Sequence, residues 1–318
     1  MSAMAFVAFA GSFKLSVTEQ NQISEEAEDW IDNMPMGLQD RLSDAVGHAM
    51  REFYSEINSF RNFKDTTGWN DYPVEVTELM GGRNGNIPMR FYQASIKKEQ
   101  PQLPLLIYFH GGGWSLGSLN TTEKFCRALA ACGDVNVISI DYPLSPEHPY
   151  PTAINTCVDA VTYIHSNILN WNTSEDLISL GGDGSGGNLA LTTYESLPEN
   201  IKIKSIVAYY PLLKTAGELN PELRRKYGRG YGFDSRLWES FIEAYKGKEL
   251  TISNPLPPTL LIATDRDIIT DEIMEFVNQN NGISYVEFTG ALHGFISDGQ
   301  QKTAFEKAVE FTNKFLGD

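Results

Sequence analysis

Two glycine-rich segments and two polar loops hold the residues of this chain that could do chemistry. His110-Gly111-Gly112-Gly113-Trp114 follows the apolar run Leu105-Leu106-Ile107-Tyr108-Phe109. Consecutive glycines leave backbone N–H groups uncovered and let a substrate approach them, which is what holding a developing oxyanion requires. Gly182-Asp183-Gly184-Ser185-Gly186-Gly187-Asn188 follows the β-prone run Ile178-Ser179-Leu180-Gly181 and leads into a helix-prone one. Glycine at that density permits a sharp strand-to-helix turn of the G-x-S-x-G kind, which lifts a nucleophilic serine over the end of a sheet. Here the frame is Gly182-x-Gly184-x-Gly186, and Gly184 stands where the serine would be.

Downstream, Asp265, Asp267 and Asp271 follow one strand signal, and His293 in Gly290-Ala291-Leu292-His293-Gly294-Phe295 follows the next. Nucleophile, acid, histidine is a chain order used for acyl transfer. In that arrangement the imidazole is the general base and the carboxylate fixes its tautomer. The residues alone do not choose among the three acids, and His293 alone fits a structural role as well as a catalytic one. His48 and His165 fall in helical stretches and read as surface or packing residues, whereas His110 and His148 sit in loop motifs suited to hydrogen bonding.

These segments need a scaffold. Residues 1–70 read as helical, with Ser24-Glu25-Glu26-Ala27-Glu28 as a cap and acidic first turn, a break at Pro35, and a second helix over 39–57. The stretch 74–93 alternates like an antiparallel hairpin around Gly81–Asn86, and 97–104 is a polar link. Six buried-strand signals then follow, at 105–109, 135–140, 177–180, 203–210, 259–264 and 285–288. Helical candidates at 121–131, 152–167, 187–197, 271–280 and 301–315 separate or follow them. Such alternation predicts a mostly parallel sheet covered on both faces, with ligands beyond the carboxyl ends of its strands. Residues 214–250 interrupt the pattern with the aromatic, glycine-rich Tyr227-Gly228-Arg229-Gly230-Tyr231-Gly232-Phe233 and a helix over 235–245, an insertion expected to join the N-terminal helices in a cap.

Composition narrows the partners. With 318 residues, 42% of them hydrophobic, the chain can bury a sizeable core, and its net charge of −16 argues against nucleic acid. Three cysteines without a C-x-x-C predict buried, reduced thiols, and no histidine or cysteine pair has metal-ligand spacing. No apolar run is long enough to span a bilayer, and no basic amphipathic helix suggests membrane association. The apolar stretch 1–10 lacks the basic start of a signal peptide, so a cytoplasmic protein is expected, as a monomer or homodimer.

Taken together, the motifs resemble the hormone-sensitive-lipase-like family of α/β-hydrolase esterases over roughly 103–295. His110–Trp114 is one. Asp141-Tyr142-Pro143-Leu144-Ser145-Pro146-Glu147-His148-Pro149-Tyr150-Pro151 is similar to the family's D-Y-R-L-A-P-E-H-P-F-P, and 182–188 to its G-D-S-A-G-G-N. Pro257-Pro258-Thr259, leading to Asp267 and Asp271-Glu272, and the triplet His293-Gly294-Phe295 complete it. The resemblance implies an α/β-hydrolase domain over 71–318, a helical cap from 1–70 and 214–250, and cofactor-free hydrolysis of small short-chain acyl or acetyl esters. It implies Asp267 as the acid and His293 as the base around position 184. It makes the amides of Gly112, Gly113 and Ser185 the oxyanion hole, with Gly111, Trp114 and Asp183 in the substrate-binding surround.

Gly184 is the departure. In such a turn the Ser185 side chain points away from the histidine, so it does not replace the missing hydroxyl. Two readings follow: a deliberate serine-to-glycine replacement in an intact esterase, or a natural pseudoenzyme that binds small molecules on a hydrolase scaffold. The intact Asp267, His293 and glycine loop favour the first or a recent loss. The same glycines also satisfy G-x-G-x-x-G, with Glu195 and Glu199 downstream, a dinucleotide fingerprint that would leave the other motifs unexplained.

Overall fold

A computed structural model describes residues 13–52, 54–62, 66–94, 102–215, 217–298 and 301–317. The apolar stretch 1–10 and most of the 97–104 link lie outside the described residues. In chain order, α1 (Val17–Asn33), α2 (Leu38–Ala49) and α3 (Ser55–Arg61) precede the hairpin β1 (Glu75–Gly81) and β2 (Ile87–Gln93). Then come β3 (Leu105–Phe109), α4 (Glu123–Cys132), β4 (Asn136–Ile140), α5 (Thr152–Ser166), β5 (Ile178–Asp183), α6 (Ser185–Ser196) and β6 (Ser205–Tyr209). After α7 (Pro221–Tyr227) and α8 (Ser235–Tyr245), the chain ends with β7 (Thr259–Arg266), α9 (Thr270–Gln279), β8 (Ile283–Leu292), α10 (Phe295–Asp298) and α11 (Lys302–Gly317).

The strands form one eight-stranded sheet in the order β1-β2-β4-β3-β5-β6-β7-β8, antiparallel only where β2 meets β1 and β4. The strand order reverses at β3, which has β4 on one side and β5 on the other. The crevice beyond the carboxyl ends of strands at such a reversal is where open α/β sheets bind ligands. The apolar runs of β3 to β6 are buried throughout because both faces are covered. Alternate residues serve opposite layers: Leu105, Ile107 and Phe109 join one core, Leu106 and Tyr108 the other. Helices α5 and α6 pack together, as do α4 and α11.

The N-terminal segment differs from the sequence expectation in two places. The first helix is capped by Ser16, not Ser24: its hydroxyl accepts from Glu19 N at 3.2 Å, and Glu19 returns a bond to Ser16 N at 2.7 Å. This is a reciprocal capping box, and the acidic cluster at 25–28 lies inside the helix. The expected helix over 39–57 is two, because the chain turns at Glu52, whose φ of 66° is left-handed. Helix α1 packs on β8 and α11, and α2 packs on α8. Cys126 and Cys157 are buried as expected, but Cys132, at the end of α4, is exposed.

Two glycines let β5, the following turn and α6 press against the end of β3. A Cβ on Gly182 would collide with the Phe109 and Gly186 carbonyls, and one on Gly186 would collide with the Phe109 and His110 carbonyls. Backbone cannot withdraw as a flexible side chain can. Gly186→Ala is therefore expected to lower unfolding free energy by about 3 kcal/mol or more, at the upper end of overpacking costs; urea denaturation followed by tryptophan fluorescence measures it.

Candidate active site

Strand β5 ends at Asp183 and α6 begins at Ser185, so the reversal rests on Gly184 alone, at φ 52° and ψ −117°. Side-chain-bearing residues adopt such a conformation at a cost of about 1–3 kcal/mol. Gly184 is held there from both sides. Its N–H donates to Tyr209 O at 3.0 Å, and its carbonyl accepts from Leu212 N at 3.0 Å and Asn188 N at 3.3 Å. Apart from its chain neighbours, among the described residues the only heavy atom within 4 Å of an ideal Cβ at this position is His293 Nε2, at 3.5 Å.

His293 Nδ1 lies 2.7 Å from Asp267 Oδ2. The carboxylate can only accept, so Nδ1 carries the hydrogen and the neutral ring keeps its lone pair on Nε2, the atom facing Gly184. Asp267 is buried and fixed by Thr264 Oγ1 and Ile269 N, each at 3.3 Å. Of the three acids, Asp267 is the one that faces His293. Asp265 accepts from Gly290 N at 2.6 Å, and Asp271 pairs with Asn220, so neither is the partner of His293. A register shift between β7 and β8 at Thr264/Arg266 falls just before Asp267, and irregularities of this kind re-aim the chain at sheet ends. The imidazole is also clasped between rings: Phe233 stacks on it at 4.3 Å and 25°, and Tyr210 meets it at 4.5 Å and 49°.

The glycine loop after β3 lies against the same turn. Gly111 N donates to Asp183 Oδ1 at 3.0 Å, the Tyr108 hydroxyl donates to the same oxygen at 2.9 Å, and Ser297 Oγ donates to Oδ2 at 3.3 Å. Burial pushes the Asp183 carboxyl above its ordinary range, while the Tyr108 hydroxyl and the neighbouring His110 pull the other way. A Cβ on Gly111 would strike Asp183, one on Gly112 the Leu116 carbonyl, and one on Gly113 the ring of Phe241 on α8. Among the described residues, the Gly112 and Gly113 amides donate to no acceptor. The Ser185 amide opens α6, where a helix leaves its first N–H groups without intrahelical partners. The Ser185 hydroxyl is buried beside the Tyr142 phenol, not against His293. Trp114 is buried and stacked on Tyr245 at 4.2 Å.

The other histidines do different work. His110 is buried, stacks on Tyr142 at 4.3 Å, and places Nδ1 2.8 Å from Gly111 O; burial lowers its pKa. His48 pairs with Glu56 at the surface. Glu195, which a dinucleotide site would turn to a ribose, instead accepts from the Ser253 and Asn254 amides at 3.0 and 3.2 Å.

Several residues around this site were not singled out from sequence. Phe233 and Phe241 lie in the insertion, whose aromatic content was visible but not its target. Arg61 gave no local signal. Its guanidinium donates to Ser115 O at 2.8 Å and Ser145 O at 2.7 Å, and forks onto Glu147 at 2.7 and 3.0 Å, tying α3 to both loops flanking the glycines. Glu272 belongs to the Asp271-Glu272 motif, but its role needed the fold: it accepts from Leu213 N at 3.0 Å and Lys214 N at 3.4 Å, in the loop that also bonds Gly184.

A strand-to-helix turn, a His–Asp pair and a glycine loop thus meet at one rim of a mostly parallel sheet. The chain belongs to the alpha/beta hydrolase fold family, whose model matches residues 106–297, and its motifs group it with the hormone-sensitive-lipase-like members. It is 40% identical over 119 residues to the carboxylic ester hydrolase LipN of Mycobacterium tuberculosis, covering 37% of this chain and 31% of that one. It is 27% identical over 241 residues to an arylesterase of Saccharolobus solfataricus, covering 70% and 76%. A thermostable carboxylesterase cloned from a metagenomic library superposes with a TM-score of 0.71 at 25% identity, over 85% of this chain and 97% of that one. The matched stretch spans 63% and 31% of the length of the first two curated relatives. No helix among the described residues is long and apolar enough to cross a membrane.

Burial raises the Glu272 pKa from 4.5 to about 8, against the opposing pull of the Leu213 and Lys214 amides. Between those values the native state holds a proton that the unfolded chain has released, so this group's contribution to stability falls as pH rises through that window. Glu272→Gln keeps the accepting oxygen and removes the titration. Urea unfolding from about pH 5 to about pH 8 is expected to show a smaller loss of stability in the variant than in the parent.

Proposed function

We propose that this chain is a carboxylic ester hydrolase scaffold of the Ser-His-Asp type whose nucleophile position is glycine, so that it binds small esters and turns them over barely at all. In this reading His293 is the general base, and Asp267 holds its tautomer and orientation. The Gly112, Gly113 and Ser185 amides receive the oxyanion, and Gly184 occupies the attacking residue's place. The observation that carries the reading is the 3.5 Å separation between an ideal Cβ on Gly184 and His293 Nε2, with Asp267 behind the ring. The esterase names of the mycobacterial and archaeal relatives support the reaction class. The reading needs no cofactor, since with serine at position 184 every role would fall to a side chain or a backbone amide.

With serine at position 184, the steps follow from the geometry. His293 Nε2 takes the hydroxyl proton as the oxygen attacks the ester carbonyl, and the imidazolium then protonates the departing alcohol. Water, deprotonated by the same nitrogen, releases the acyl group. Short acyl chains are the proposed substrates. Phe233 on the imidazole and Phe241 against Gly113 leave little width beside the reacting atoms. We assign 1–70 and 214–250 to a cap over the 71–318 domain. The supporting contacts are Gln39 donating to Gly232 O, and Arg236 pairing with Asp40 and Asp44, which join α2 to the insertion.

Gly184→Ser tests the proposal. Losing the nucleophile of a serine hydrolase costs roughly 10⁶ in kcat, so p-nitrophenyl acetate hydrolysis should rise by several orders of magnitude in the variant. Its stability should fall by about 1–3 kcal/mol, the strain of a side chain at this backbone conformation. Activity across p-nitrophenyl esters should decline beyond short acyl chains. A folded Gly184→Ser protein without hydrolysis would overturn the assignment.

A further inference from the structure

The same geometry that lacks a tethered hydroxyl retains the rest of an acyl-transfer site. His293 Nε2 keeps its lone pair because Nδ1–H is committed to Asp267 at 2.7 Å, and the ring is clasped by Phe233 and Tyr210. Among the described residues, an ideal Cβ at position 184 meets only that nitrogen within 4 Å, at 3.5 Å, apart from the flanking chain. The glycine-loop amides at Gly112 and Gly113 donate to no acceptor among the described residues. A base, its orienting acid and uncommitted donors therefore surround the place a side chain at position 184 would enter.

We propose that the chain, as it stands with Gly184, catalyses direct acyl transfer from a small activated ester to a small uncharged external nucleophile, such as hydroxylamine or water, without an acyl-enzyme. The inference rests on the ester-hydrolase reading above. With hydroxylamine, a new C–N bond forms as the nitrogen attacks the ester carbonyl and gives a proton to His293 Nε2. The carbonyl oxygen becomes an oxyanion held by the glycine-loop amides. The intermediate then collapses, the C–O bond to the leaving group breaks, and the imidazolium returns the proton to the departing oxygen. The products are a hydroxamic acid and the alcohol or phenol, and nothing is oxidised or reduced.

Two physical limits shape the outcome. A positioned general base contributes typically 10²–10⁴-fold, and this contribution is retained. The tether is not: an attached nucleophile enjoys an effective concentration of roughly 10⁵–10⁸ M, which no free reagent reaches. Rescue should therefore grow with nucleophile concentration and stay far below the rate of Gly184→Ser. Size should matter as well, since Phe233 stacks on the ring and Phe241 borders the glycine loop.

The test incubates the unaltered purified chain with p-nitrophenyl acetate and graded hydroxylamine at neutral pH, reading p-nitrophenol and acetohydroxamate above the protein-free blank. The expected result is a protein-dependent rate that saturates in ester and rises with hydroxylamine. It should fall roughly 10²-fold in His293→Ala, in line with loss of a general base. Asp267→Asn, which keeps the ring but disturbs its tautomer, should lose most of the rate too, and N-benzylhydroxylamine should give none. Equal rates in the parent, His293→Ala and Asp267→Asn would overturn the inference, as would equal rescue by the benzyl reagent. If Gly184→Ser hydrolyses the ester while hydroxylamine does nothing for the parent, this inference fails and the ester-hydrolase reading stands. If Gly184→Ser is itself inactive, that reading fails and takes this one with it.

Discussion

The structure turns on a backbone-to-backbone approach with no room for a side chain. The turn that ends β5 and opens α6 lies so close to the end of β3 that a Cβ on Gly186 would occupy the space of the Phe109 and His110 carbonyls. That contact places the glycine loop, which starts one residue after Phe109, directly beside Gly184. Uncommitted amides and the reversal point of the strand-to-helix turn share one rim because two peptide backbones can touch. The hydrogen bonds of Asp183 to Gly111 N and the Tyr108 hydroxyl fasten the two segments together across the same seam.

The His–Asp pair reaches this rim from two strands further along the sheet. Strand β6 lies between β5 and β7, and its end supplies Tyr210, whose ring sits against His293 while its neighbour Tyr209 accepts the Gly184 N–H. His293 follows β8, with β6 and β7 between that strand and β5, and Tyr210 packs against its ring. The irregular pairing of β7 with β8 carries Asp267 under the ring. The buried Asp267 carboxylate is held by hydrogen bonds from Thr264, Ile269 and the imidazole.

Around this centre the chain spends aromatic residues and ion pairs to hold loops that have no regular structure of their own. Phe233 from the insertion stacks on the imidazole, and Phe241 lies against Gly113 of the glycine loop. Arg61 performs the complementary task from the N-terminal side, with a planar fork that satisfies two loop carbonyls and one carboxylate at once. Both sets of contacts join segments far apart in sequence, which is why the rim is one unit although five stretches of chain contribute to it.

Much of this was legible in the residues because the signals are local. Apolar runs of strand length separated by helical periods gave the parallel sheet, and the hairpin followed from alternation around a glycine turn. The glycine loop, the glycine turn and the histidine loop were recognisable because their chemistry depends on backbone freedom and residue type at fixed spacing. The misses have a common cause. The Ser16 capping box was overlooked in favour of a more acidic cluster at 25–28, and the break at Glu52 lacks the glycine or proline that would announce it. Composition weighs residue types, whereas a cap is a matter of one hydroxyl's position. By itself the sequence determined the strand and helix succession, the glycine-built turn and the absence of a hydroxyl at position 184. Only the tertiary structure decided which of three aspartates faces the imidazole, that Phe233 and Tyr210 clasp it, and that Arg61 ties the loops. Those choices rest on strand register and on contacts between distant segments, which no local pattern encodes.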